Sequence, residues 1–126
     1  MAMSAHVVYT AIDPLRPATT SPVVVEEIIR GYLKFDGLLM SDDISMNALK
    51  GDMSERAKGI FGAGLDIAQH CHGIMDEMVA VAAEAPILAG KALRRAEAAL
   101  ARITPIEEHD EVAMRAEFDG LLTALA

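Results

Sequence analysis

The sequence predicts an α/β protein built on a parallel sheet, and three observations lead there. Short runs of β-branched or apolar residues alternate with longer stretches whose apolar positions recur at helical spacing, the pattern of right-handed βαβ units. One run, Leu38-Leu39-Met40, stands between turn signals in the way of a strand buried on both faces. The composition is 52% hydrophobic with no Trp and 4% aromatic residues, which suits helix packing better than a β-sandwich. At 126 residues the chain is long enough for one ordinary domain and too short for two.

The elements follow in order. Ala5 to Tyr9, with Val7 and Val8, reads as a first strand close to the start of the chain. Thr10 to Thr20 carries Asp13-Pro14 and Arg16-Pro17 and is a loop. Ser21-Pro22 supplies a helix N-cap with proline at the first helical position, and Glu26 and Glu27 favour the early turns. Val25, Ile28, Ile29, Tyr32 and Leu33 give that helix an apolar face, with Gly31 an imperfection inside it. Gly37 to Ser41 is the second strand. Ser54 is read as the cap of a helix over Glu55 to Ala63, and Leu65 to His70 as a third strand.

Met75, Met78, Val79 and Ala82 mark the next helix, with Met75 and Met78 expected in the core, and Pro86 stops it. Leu88, Ala92, Ala96, Ala99, Leu100 and Ile103 form the stripe of a further helix, leaving Arg94, Arg95 and Glu97 mostly outside it. Thr104-Pro105 breaks it. Glu107 to Ala126 is amphipathic through Val112, Met114, Phe118, Leu121, Leu122 and Leu125, and is expected to dock as a last helix. Three parallel strands are few for a free-standing sheet, because both edges stay unpaired.

Composition also excludes. A net charge of −8 argues against a nucleic-acid partner. One cysteine, Cys71, precludes an internal disulfide and fits a reducing compartment. The first residues lack the basic and apolar regions of a signal peptide, and no apolar run approaches the roughly 20 residues that span a bilayer. The expectation is a soluble, cytoplasmic chain without a membrane partner.

The second strand runs into Ser41-Asp42-Asp43, and carboxylates at the C-terminal end of a parallel strand sit where α/β barrels place their chemistry. Lys34-Phe35-Asp36-Gly37 followed by Ser41-Asp42-Asp43-Ile44-Ser45-Met46 resembles the nucleophile segment of glycoside hydrolase family 3, most closely that of the bacterial β-N-acetylhexosaminidases. Met3-Ser4-Ala5-His6-Val7-Val8-Tyr9 resembles the preceding barrel strand, and Asp13-Pro14 through Pro17-Ala18-Thr19 with Ser21-Pro22 the loop after it. Glu55-Arg56-Ala57 with Ala63-Gly64-Leu65-Asp66 resembles the approach to the final barrel strand.

The resemblance covers about residues 3 to 103 and implies a partial TIM-type (β/α) barrel, the last three βα units plus C-terminal helices. Residues 1–103 would be the barrel portion and residues 104–126 a helical tail. It implies a retaining enzyme of peptidoglycan recycling that acts on N-acetylglucosamine-containing carbohydrate, with Asp42 as nucleophile, His6 and Met46 near the sugar, and no cofactor. The acid/base motif Lys-His-Phe-Pro-Gly-His-Gly of such relatives does not occur in these residues. A truncated, split or misassigned reading frame is therefore expected, inactive alone. A non-catalytic remnant and one half of a split enzyme needing an N-terminal partner stay open beside it, as does self-association through the open edges.

Individual residues keep alternatives. Successive strand side chains point to opposite faces, so Asp42 and Asp43 do not flank one glycosidic bond together. A carboxylate capping the following turn is the other reading of Asp42 and, above all, of Asp43. His6 is either a sugar-site residue or a satisfied core histidine, and Met46 either lines the pocket or packs. His70-Cys71-His72 with Asp66 and Asp76 suggests metal by composition only, since consecutive strand residues alternate sides, and no metal is expected. Gly62-Ala63-Gly64 lacks the spacing of a phosphate loop.

Overall fold

The computed structural model describes residues 1–105 and 108–124. Its elements are β1 (Ala2–Met3), a 3₁₀ turn (Ala18–Thr20), a π-helix (Val23–Tyr32), β2 (Leu39–Asp43), α1 (Met53–Gly62), β3 (Ile67–Gln69), α2 (Met75–Glu84), α3 (Gly90–Leu100) and α4 (Glu111–Ala124). The strands form one parallel sheet in the order β1-β2-β3, with Ala2 opposite Leu39, Met3 opposite Met40 and Met40 opposite Ile67. An α/β fold with a small parallel sheet is thus present, with its strands displaced from the expected positions.

The first strand ends before the valines that announced it. The Ser4 amide donates to the Met40 carbonyl, but beyond that point the chain is held by other bonds. Val7 O accepts from the Ala18 amide, and the Asp43 carbonyl is taken by the His6 ring and the Met46 amide instead of a ladder partner. The second strand runs two residues later than expected, so both aspartates lie inside its last turn of pleat.

Ser21 caps the first helix as anticipated, accepting from the Val24 amide at 3.1 Å while donating to Asp13 at 2.7 Å. The helix itself is wide: Leu33 N–H reaches the Ile28 carbonyl five residues back. Three successive valines crowd the tighter α turn. Gly31 is part of the geometry rather than a flaw, because a Cβ there would lie 3.0 Å from the Glu26 carbonyl oxygen. Lys34 ends the helix at φ 56°, a left-handed residue that is not glycine.

Helix α1 begins earlier than expected. Asp52, not Ser54, is its cap: Asp52 accepts from the Glu55 amide at 2.8 Å and Glu55 reaches back to the Asp52 amide, a capping box. Ser54 instead donates to Glu84 at 2.6 Å and so ties α1 to α2. Gly64, at φ +94°, turns the chain from α1 toward β3.

The core lies on one face of the sheet. Val25, Leu39, Ile44, Leu49, Ala57, Ile60, Ala63 and Leu65 are buried together, with Ala2 and Ala68 packed against them. The row Met3-Met40-Ile67, one residue from each strand, lies outside that cluster, and Met3 is exposed. A parallel sheet ordinarily has both faces covered.

Helix α2 presents different residues than its stripe predicted, and α3 turns in the alanines of its stripe but not its larger residues. Met75 and Met78 are exposed, while Glu77, Ala80, Val81 and Glu84 form the half-buried side of α2. On α3 the inward side is Ala92, Arg95, Ala96 and Ala99, so Arg95 lies inside the stripe and Leu100 outside. Arg95 is drawn there by charge. It bonds Asp66 at 3.0 Å and Asp36 at 2.8 Å, and Arg30 meets the other Asp66 oxygen at 2.9 Å. The tail forms α4, but every described residue of it is exposed, so the expected docking is not seen; Glu107 and Leu125 lie outside the described residues.

Candidate active site at the carboxyl ends of the strands

Because the three strands are parallel, their C-terminal ends meet on one edge. Ser4 to His6 follow β1, Asp42 and Asp43 close β2, and Gln69 to His72 leave β3. Between Met40 and Asp43 the central strand takes three steps where β3 takes two, from Ile67 to Gln69. Such a bulge bends the strand and re-aims its side chains. The Ser41 hydroxyl, fully buried, fills the gap by accepting from the Gln69 amide at 2.9 Å.

The two aspartates have different surroundings. Asp43 Oδ1 accepts from the Ser45 amide at 3.0 Å, the Ser45 hydroxyl at 2.5 Å and the Cys71 amide at 3.3 Å. Burial works to raise its pKa, but these bonds and the nearby His72 outweigh it and hold the carboxyl below its ordinary value. Asp43 is a turn-forming carboxylate. Asp42 is half-buried, and its Oδ1 accepts only from the adjacent Asp43 amide at 2.8 Å. Its Oδ2 has no hydrogen-bond partner among the described residues.

His6 is held at both ring nitrogens. Nε2 donates to the Asp43 carbonyl at 2.9 Å, which in the neutral ring leaves Nδ1 to accept from the Thr19 hydroxyl at 2.9 Å. Thr19 in turn takes the Ser4 hydroxyl at 2.8 Å. The relay fixes the backbone behind Asp42. Met46 closes the turn through its amide on the Asp43 carbonyl and leaves its side chain 44% exposed.

Arg56 belongs to this site and sequence reasoning passed over it. From α1 it donates to the carbonyls of Ile44, Met46 and Gly51, at 3.0, 3.1 and 2.9 Å, and so fixes the loop after the aspartates. The available signal was its place in Glu55-Arg56-Ala57.

The histidines after β3 do not converge with Asp66. Asp66 lies at the opposite end of that strand with Arg30 and Arg95, whereas His70 Nε2 pairs with Glu77 at 2.6 Å. Among the described residues, no three metal-binding groups come together. No helix among them is long and apolar enough to cross a membrane.

A half-buried carboxylate on a bulged central strand, backed by a fixed relay and a clamped loop, lies at the edge where parallel α/β folds place their chemistry. The profile of the Glycosyl hydrolase family 3 N terminal domain matches residues 1–106, and the chain belongs to that family. It is 41% identical over 83 residues to the beta-hexosaminidase of Pseudomonas aeruginosa strain PAO1, a stretch that is 64% of this chain and 25% of that protein. Over 72 residues it is 43% identical to the beta-hexosaminidase of Alkalilimnicola ehrlichii, covering 56% of this chain and 20% of the relative. Among solved structures, the family 3 beta-N-acetylglucosaminidase of Paenibacillus sp. FPU-7 superposes with a TM-score of 0.68 at 25% identity, covering 86% of this chain and 24% of that one. The Thermotoga maritima beta-N-acetylglucosaminidase gives a TM-score of 0.64 at 26% identity, over 82% of this chain and 25% of that one. The chain therefore spans about a quarter of the length of these proteins.

Proposed function

We propose that residues 1–103 are the last three βα units of the barrel of a retaining β-N-acetylhexosaminidase, that residues 104–126 are its helical tail, and that Asp42 is the nucleophile. The carrying observation is the division of labour at the end of β2: Asp43 accepts three bonds on Oδ1, from Ser45 and Cys71, while Asp42 accepts one, from the adjacent amide.

Asp42 attacks the anomeric carbon of an N-acetylglucosaminide as the bond to the leaving oxygen breaks and an acid protonates that oxygen. Water then hydrolyses the glycosyl ester, with retention. The acid and most sugar-binding groups come from the rest of the barrel. His6, whose ring nitrogens are both engaged, positions the Asp43 backbone and offers a ring edge to the site. Met46 offers half-exposed apolar surface to the sugar. The row Met3-Met40-Ile67, exposed at Met3 and half-buried at Met40 and Ile67, supports a place inside a barrel wall, where a neighbouring layer of side chains would complete its cover. The setting is cytoplasmic peptidoglycan recycling, and the partner is the remainder of the barrel.

The test is a chimera that joins residues 3–103 to the preceding part of the Pseudomonas aeruginosa enzyme, assayed on 4-nitrophenyl N-acetylglucosaminide. The chimera should turn over, Asp42→Ala should reduce kcat at least about a thousandfold, and the isolated 126-residue chain should show no hydrolysis. Turnover by the isolated chain, or a chimera indifferent to Asp42→Ala, would refute the assignment.

A further inference from the structure

A cleft of about 510 Å³, lined in part by His6, opens without including Asp42. That volume lies within the range of small-molecule sites. One wall is the loop Pro14-Leu15-Arg16-Pro17, and the facing wall is Leu49 and Lys50 with Glu55 and Arg56 of α1. Three cations thus meet one carboxylate in a chain whose formal charge is −8. Glu55 is already committed to the capping box through the Asp52 amide. Arg16 and Lys50 are exposed and make no ion pair among the described residues.

Both walls are held in place before any ligand arrives. Asp13, 6% exposed, accepts from the Leu15 amide at 3.0 Å and the Ser21 hydroxyl, which pins the loop that carries Arg16. Prolines at 14 and 17 remove further freedom. On the other side Arg56 fixes the loop carrying Lys50 by its bond to the Gly51 carbonyl and uses Nε and Nη1, so none of its bonds among the described residues engages Nη2. Fixed walls lower the ordering cost of binding, and exposed Leu15 beside the cations suits a ligand with a short carbon body.

We infer that this cleft is an anion site, taking a small organic molecule that carries a carboxylate or phosphate between Arg16 and Lys50. The cleft shares His6 and Arg56 with the edge that carries Asp42 but not Asp42 itself, and it is measured by binding alone. Titration of the full chain with inorganic phosphate, succinate and neutral succinamide, followed by ¹⁵N amide shifts, distinguishes the sources. Phosphate or succinate should bind saturably at about millimolar concentration, shifting the amides of Arg16 and Lys50, and succinamide should not. Arg16→Gln with Lys50→Gln should weaken binding by about tenfold or more. Lys58→Gln, which removes a cation paired with Glu84 elsewhere on α1, should leave it unchanged. Absence of saturable binding by both anions, equal binding of succinamide, or full binding by the double variant would overturn the inference.

Discussion

Lys34 adopts a costly backbone conformation, and its side chain makes no hydrogen bond or ion pair among the described residues. It occupies the left-handed region at φ 56°, where a Cβ costs roughly 1 kcal/mol, so that the Phe35 amide can return to the Ile29 carbonyl and Arg30 can lie over the Phe35 ring. Lys34→Gly should therefore raise the unfolding free energy by about 0.5–1 kcal/mol, read from the urea midpoint at unchanged slope; a loss of stability would show that the lysine side chain matters there. At this scale the sequence was legible where chemistry is local. Neighbouring aspartates on a strand must differ, and Asp42 and Asp43 do. Arg56 was not legible, because its partners are backbone carbonyls up to twelve residues away, and nothing in a sequence marks an acceptor that a distant turn exposes.

Among the elements, α3 is held to the lower end of the sheet by charge more than by apolar burial. Asp36 accepts first from Arg95 and then from Arg94, and these bonds lower its pKa to about 2. A folded pKa below the unfolded value means that the contribution is present above about pH 4 and is lost as the pH falls toward about 2. The amide and methyl shifts of Ala96 and Ala99 should accordingly move together across that window, less so in high salt because Asp36 is 59% exposed at its side chain. Invariant shifts down to pH 2 would place the anchor elsewhere. The order of strands and helices could be read from the alternation of patterns, but orientations could not. Helix α2 carries two competing sides, and the one facing inward holds Glu77 and Glu84, whose partners His70 and Ser54 lie in other elements. An apolar stripe predicts the buried side only where apolar contacts decide.

For the whole molecule, the partly covered row Met3-Met40-Ile67 and the open edges of β1 and β3 leave apolar surface and strand backbone available among the described residues. Such surface drives association. Light scattering of the purified chain should report a mass above the 13.4 kDa monomer that grows with concentration, and a stable monomer would show that the sheet closes by other means. The fold class was visible from the start because it depends on periodicity, and so was an open inner face on so small a sheet; the residues of the first strand were not, because the valines that suggested it lie beyond Ala2–Met3. Asp66 gives the molecule its unity. One carboxylate takes the Leu39 amide, Arg30 and Arg95, so the helix before the central strand, that strand and α3 share one acceptor. The shared core of Val25, Leu39, Ile44 and Ile60 joins the same elements by apolar contact, and Asp66 adds a charged tie that reaches α3 as well. Asp66→Asn should broaden the denaturant transition and lower its slope as well as its midpoint, the mark of lost cooperativity, and a parallel shift at constant slope would show that the units are coupled through their apolar contacts alone.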